Sequence, residues 1–260
     1  MQHVFITGAS SGIGAALAKV YASQGARVAL VARRQEALEA LRQTLPNPER
    51  HFIYVLDVTD HQALAQAART FLAAVGEVHV VIANAGVSAG TLTEHAEDLP
   101  VFARVFETNV TATVATFAPF IESMRATAAR APCRLVGIAS VAGIRGLPGA
   151  EAYSASKAAV ISYCESLRVE LRSSGIRVVT IAPGYIDTPM TQSNSYQMPF
   201  LMPVDRFAEK TVASITAGVS YRVIPWQMGV VAKLLRCLPN FLYDALFSKA
   251  PHKARIKQGE

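Results

Sequence analysis

The stretch Thr7-Gly8-Ala9-Ser10-Ser11-Gly12-Ile13-Gly14 stands between a short apolar run, Val4-Phe5-Ile6, and a segment whose apolar residues Ile13, Leu17, Val20 and Tyr21 recur at helical spacing. Strand, glycine turn, helix is the order that sets a phosphate against a helix N-terminus. Gly8 permits the sharp turn off the strand, Gly12 lets backbone N–H groups approach a pyrophosphate, and Gly14 lets the helix lie close against the sheet. The spacing is not the GxGxxG fingerprint, so residues further along the chain decide the meaning of the turn.

Apolar, β-branched runs recur at Val4 to Ile6, Arg27 to Val31, His51 to Leu56, Val78 to Ala83, Arg134 to Ala139 and Arg177 to Ile181, with amphipathic segments between them. Nearly continuous apolar strands of this kind are covered on both faces, which predicts an α/β fold: a doubly wound, Rossmann-type parallel sheet with helices on each side. Gln24-Gly25 and Ser173-Ser174-Gly175 read as helix stops. Without linker or repeat, the 260 residues are expected to form one domain, 1–260, with a substrate lid at about 185–210 and an apolar C-terminal segment at about 221–247. Arg222-Val223-Ile224-Pro225-Trp226 reads as the last strand, and the basic tail Ser248 to Glu260 as disordered.

The carboxyl ends of the predicted strands carry Thr7 and Gly8, Ala32 and Arg33, Asp57, Asn84, Ser140, and Pro183 with Gly184. In an open parallel sheet these ends share one edge, and ligands bind in the crevice along it. Beyond Ser140, Tyr153 and Lys157 stand at i, i+4 spacing on a predicted helix and therefore share a face. A lysine cation near a phenol favours its phenolate, and such a pair works as a general acid/base near neutral pH.

These residues, in this order, resemble the short-chain dehydrogenase/reductase family: TGxxxGxG as Thr7 to Gly14, Asp57-Val58, Asn84-Ala85-Gly86, Asn109, Ser140, YxxxK as Tyr153 to Lys157, and Pro183-Gly184 followed by Ile186 and Thr188. The resemblance implies that Tyr153 exchanges the proton of a carbonyl/alcohol pair, Ser140 orients the carbonyl, Lys157 holds the nicotinamide ribose and lowers the tyrosine pKa, and Asn109 fixes a relay water. It further implies a dinucleotide lying along Gly8, Ser10, Ser11, Gly12, Ile13 and Gly14. Asp57 and Val58 meet its adenine, Asn84, Ala85 and Gly86 line its channel, and Pro183, Gly184, Ile186 and Thr188 meet its carboxamide end. The hydride is the cofactor's.

NAD-binding units carry an acid about 20 residues beyond the glycine turn. Here Ala32 stands there, followed by Arg33 and Arg34, and a guanidinium grips a 2′-phosphate, so NADP (NADPH) is expected rather than NAD. Ser11 occupies a place where many NADP-dependent relatives carry a basic residue. The reading is an NADPH-dependent reductase of ketones or aldehydes, or the reverse, with a non-catalytic dinucleotide sensor as the alternative. Met190, Met198, Phe200, Leu201 and Met202 in the lid lean towards an apolar or acyl-bearing substrate.

A net charge of +6 favours an anionic partner, but no basic stripe interleaved with aromatics points to nucleic acid. The three cysteines, Cys133, Cys164 and Cys237, and the six histidines lack metal spacing, so no metal is expected. The sequence reads as cytoplasmic and without a secretory leader. A homodimer or homotetramer is expected through Val110 to Met124 and Ala158 to Leu171. The segment with Trp226, Phe241 and Phe247 is too interrupted to span a bilayer; it packs on its own domain, on a subunit neighbour, or on a membrane surface.

Overall fold

The computed structural model describes residues 1–192, 194, 196–250, 252, 253 and 255. In chain order the elements are β1 (His3–Thr7), α1 (Gly12–Ser23), β2 (Arg27–Ala32), α2 (Gln35–Thr44), β3 (Phe52–Val55), α3 (His61–Val75), β4 (Val80–Ala83) and α4 (Leu99–Phe106). A π-helical turn, Glu107–Thr111, leads into α5 (Ala112–Phe117), followed by α6 (Ile121–Ala128), β5 (Arg134–Ile138), α7 (Glu151–Glu170) and β6 (Arg177–Pro183). Then come β7 (Ile186–Asp187), α8 (Pro189–Gln192), β8 (Met202–Pro203), α9 (Val204–Thr216), β9 (Tyr221–Ile224), α10 (Trp226–Cys237) and α11 (Asn240–Phe247).

The main sheet is parallel throughout, in the order β3-β2-β1-β4-β5-β6-β9. The order of strand addition reverses between β1 and β4, and this switch point opens the crevice at the carboxyl edge. β1 is buried along its whole length because its two faces feed two cores. Val4 and Ile6 join Leu17, Tyr21, Leu38, Phe207 and Ile215 on one side. Phe5 turns to the other, where its ring meets Phe120 at 4.9 Å and Phe71 at 5.9 Å. The period-two alternation of a strand therefore explains why so short a run is apolar without a break. The two helix stops also stand as expected, with Gly25 and Gly175 both at positive φ.

Three expectations are corrected here. β9 ends at Ile224: Pro225 has no N–H to continue the ladder, and Trp226 opens α10. The expected lid runs too far, since from Val204 the chain is α9, whose Phe207, Ala208, Val212 and Ile215 belong to the core; Ser193 and Ser195 lie outside the described residues. The tail is not loose where it is described. Arg255 pairs with Glu97 and Asp98, Lys253 bonds Ser88, and Gly90 bridges to Arg255, while residues 251, 254 and 256–260 lie outside the described residues.

The two segments expected to join subunits spend most of their apolar side chains at home, with Phe117, Phe120, Met124, Val160, Cys164, Leu167 and Leu171 all in the core. The large exposed apolar residues gather instead on α10 and α11, where Trp226 and Phe241 are each about 70% exposed. These helices are docked on their own domain by Arg145, which donates to the Arg236 and Leu238 carbonyls and to Asn240 Oδ1 and lies 4.2 Å from the Tyr243 ring centre. Phe247 stacks on Tyr243 rather than joining the exposed face. No helix of the described residues is long and apolar enough to cross a membrane.

Candidate active site

A cleft of about 420 Å3 runs along the carboxyl edge of the sheet. Its walls include Gly8, Ser10, Ser11, Gly12, Ile13, Arg33, Arg34, Asp57, Val58, Asn84, Ala85, Gly86, Ser140, Tyr153, Lys157, Pro183, Gly184, Ile186 and Thr188. Of the expected site residues, Gly14 and Asn109 alone stand behind the walls.

Gly14 is there for packing. A Cβ on it would sit 2.2 Å from the Gly8 carbonyl oxygen, so α1 approaches the turn more closely than any side chain permits. Gly8 itself has φ +67, the left-handed region that favours glycine. Asn84 fixes the turn from the neighbouring strand: its Nδ2 donates to the carbonyls of Thr7 at 3.0 Å and Gly8 at 3.2 Å. Thr7 ties the two strands in the opposite direction, since its Oγ1 accepts from the N–H groups of Asn84 and Ala85 at 3.1 and 3.2 Å. Asn84 thus shapes the channel as well as lining it. Among the described residues, the side chain of Ser11 makes no cap bond at the start of α1, and no acid lies in that first turn. Its N–H groups are available to an anion.

Ala32 leaves a gap flanked by two cations. Arg34 Nη2 donates to Ser10 Oγ at 3.2 Å, linking the end of β2 to the glycine turn. Arg33 Nη1 meets Asp57 Oδ2 at 3.4 Å, with more than half of the arginine side chain in solvent. Burial works to raise Asp57, but bonds from Thr59 N–H and Oγ1 at 3.0 and 2.9 Å, with Arg33 beside it, outweigh that and hold the carboxyl below its usual range.

Lys157 is buried and donates from Nζ to the Ile138 carbonyl at 2.8 Å, which anchors it at the end of β5. Burial pulls it down to about 8. Tyr153 is half-buried; burial pushes its phenol up, and a hydrogen bond with Ser140 draws it part of the way back. Lys157 Nζ stands 5.9 Å from the ring centre, and loss of hydration governs both groups. Ser140 Oγ also accepts from Ala142 N–H at 3.1 Å, capping the turn that carries it.

Asn109 sits in the π-helical turn, 1% exposed. Its amide is fully engaged: Oδ1 accepts from Val87 N–H at 2.8 Å, while Nδ2 donates to the Val87 carbonyl at 3.0 Å and to Ser156 Oγ at 2.9 Å. Ser156 in turn donates to the Tyr153 carbonyl. The side chain therefore ties the loop after β4 to the helix bearing Tyr153, and any water it helps to hold must use its main-chain carbonyl, which already accepts from Thr113.

The profile of the short chain dehydrogenase family matches residues 2–199. The chain belongs to that family. Short-chain dehydrogenases are NAD(P)-dependent oxidoreductases, and a Myxococcus xanthus protein named as an uncharacterized oxidoreductase is 40% identical over 244 residues, 92% of this chain and 94% of that one. Among solved structures, an alcohol dehydrogenase from Thermococcus sibiricus complexed with 5-hydroxy-NADP superposes with TM-score 0.77 at 26% identity, covering 86% of this chain and 96% of the other. The 3-ketoacyl-(acyl-carrier-protein) reductase of Brucella melitensis, complexed with NADH, shares the fold with TM-score 0.78 at 24% identity, covering 86% and 96%.

Within this short-chain dehydrogenase, several residues that shape the site carry no signal in the sequence. Ser156 looks like any small helix residue. A Cβ on Gly143 would lie 2.6 Å from the Lys157 backbone, so the turn carrying Ser140 presses directly on α7. Lys253 Nζ lies 5.6 Å from the Tyr153 ring centre. No local spacing points to any of the three. Among the described residues no cluster suits a metal ion, and Cys133 and Cys164 are free and buried.

Proposed function

We propose that this protein is an NADPH-dependent carbonyl reductase, in which Tyr153 is the general acid towards the substrate oxygen. The observation that carries the reading is the meeting, in one cleft, of Ser140, Tyr153 and Lys157 with the glycine turn and the arginine pair around Ala32. The donor set fits a 2′-phosphorylated dinucleotide: free N–H groups at the start of α1 for a pyrophosphate, and Arg33 and Arg34 for the extra phosphate. Gly86 completes the floor. A Cβ on it would lie 3.1 Å from Asn109 Oδ1 and 3.5 Å from Lys157 Nζ, filling the space beside the lysine. Bound NADPH supplies the hydride.

The chain's own residues handle the proton. Burial keeps the Tyr153 phenol protonated at neutral pH, the form that donates to a carbonyl oxygen as it gains negative charge. Ser140 holds that oxygen by a second hydrogen bond. Lys157, pulled down to about 8, is close enough to neutrality to pass a proton on towards Tyr153. Asp57 and Val58 would meet the adenine, and Pro183, Gly184, Ile186 and Thr188 the carboxamide end. Met190 on the cleft wall favours a substrate with an apolar or acyl body. The buried thiols fit a reducing, cytoplasmic setting. The assembly is read as a homodimer or homotetramer, with the apolar face of α10 and α11 as an added surface for a subunit or a membrane.

The test is a panel of ketones and aldehydes of increasing chain length, followed by cofactor absorbance with NADPH and NADH in parallel. Turnover with NADPH at least ten times more efficient than with NADH supports the reading by about 1.4 kcal/mol of discrimination. Absence of turnover with either contradicts it.

A further inference from the structure

Two lysines approach the Tyr153 ring, and the proposed chemistry uses one. Lys253 Nζ is 5.6 Å from the ring centre, against 5.9 Å for Lys157. Among the described residues it donates one hydrogen bond, to Ser88 Oγ at 2.6 Å in the segment after β4. An ammonium has three donors, so two remain for another partner. Among the described residues no carboxylate lies within ion-pair distance of it. Burial pulls the group below the ordinary lysine value.

The tail that carries Lys253 is clamped on both sides. Arg255 Nε and Nη2 donate to Asp98 Oδ2 and Oδ1 at 2.8 and 3.0 Å, and Nη2 also reaches Glu97 Oε1 at 3.1 Å. The Asp98 carboxylate is buried and is held further by Leu92 N–H at 2.8 Å. On the other side His252 packs so tightly on Gly149 that a Cβ there would lie 2.6 Å from its side chain. Glu97 and Asp98 are thus engaged by Arg255, and Lys253 is held beside Tyr153 with no carboxylate partner among the described residues. A partly buried cation is costly unless an anion joins it.

We infer that Lys253 receives an anionic group, a carboxylate, on the carbonyl substrate, so that the preferred substrates are keto or aldehydo acids whose apolar spacer separates carbonyl from carboxylate. This rests on the proposed reductase reading, and it adds a charged end to the apolar body expected there.

Two measurements on the full chain keep the two readings apart. In the first, hexanoate and hexanamide are titrated calorimetrically into the protein with and without NADP+. Hexanoate should bind about 10- to 100-fold tighter, the weight of a hydrogen bond between charged groups. Lys253→Gln should erase that preference and Lys253→Arg should keep it. Equal binding of both ligands by the wild-type chain, or a preference that survives Lys253→Gln, overturns the inference whether or not the protein turns over a carbonyl. In the second, 4-oxopentanoate and its methyl ester are compared as substrates with NADPH. Lys253→Gln should raise KM for the acid by a similar factor, leave its kcat within about twofold, and leave the ester unchanged. Equal losses for acid and ester would assign Lys253 a structural role only.

Discussion

Helix α7 and the C-terminal tail each bring a lysine to the same tyrosine, by different physical routes. Lys157 arrives by local geometry: it stands one turn from Tyr153 on a long helix, its ammonium tied to the end of β5. Lys253 arrives by tertiary contact, because the tail folds back and Arg255 locks onto Asp98 across most of the chain's length. The first lysine is placed by a helix already packed into one of the two cores through Val160, Cys164 and Leu167. The second depends on one charged clasp and the packing of His252 on Gly149. The lysine proposed for the chemistry sits on a long helix packed into the core, and the residue assigned to substrate choice sits on the segment held by few contacts, as expected where a scaffold carries its binding residues on connecting segments.

The comparison breaks most sharply at Lys157. Lys157→Met should lower kcat/KM for every substrate by about 10^2- to 10^4-fold, the range for lost acid–base assistance, and should weaken NADPH in a direct titration. A loss confined to carboxylate substrates would exchange the roles given to the two lysines. Next in size is Arg33→Ala, which should raise the Kd of NADPH by about 10- to 100-fold through lost charge-assisted bonds and leave NADH nearly unchanged. Equal losses would remove the phosphate grip from the account.

The third effect is one of pH. Lys157 is pulled from 10.5 to about 8 in the folded chain, so its cation predominates below that value and is progressively lost above it. An anionic cofactor beside it favours the charged form, hence NADPH binding should take up a proton and weaken by up to about tenfold per pH unit above 8. Fluorescence titration from pH 7 to 10 measures this, and Lys157→Met should flatten the curve while Lys253→Gln should not. The smallest effect is expected from Arg255→Ala. It frees the tail without touching the cleft, so KM for acidic substrates should rise about three- to tenfold with kcat close to wild type, while the buried Asp98 carboxylate, left without its cation, should lower thermal stability. An unchanged KM for acidic substrates would remove the clasp from the positioning of Lys253.

The same division marks what the residues alone revealed. The strands were legible because burial on both faces demands unbroken apolar runs, and Ser140, Tyr153 and Lys157 because strand end and helix spacing bring them together. The place of Arg33 and Arg34 on the cleft wall was legible from the end of β2. Ser156 was not, since its bonds to Asn109 and Tyr153 exist only once the π-helical turn meets α7. Nor was the loss of hydration that leads the titration of Tyr153 upward and of Lys157 downward, since no spacing reports burial. The basic, polar composition of the tail suggests disorder. Composition is blind to Asp98, a buried carboxylate far away in sequence that draws Arg255 in.

The central claim is that Tyr153 donates the proton to the carbonyl oxygen while the rest of the cleft holds the dinucleotide. Tyr153→Phe removes one oxygen atom and tests it most directly, with turnover and NADPH affinity measured on the same preparation. The expected result is a fall in kcat of about 10^2- to 10^4-fold with the NADPH Kd within about twofold of wild type. Turnover that survives the substitution would contradict it.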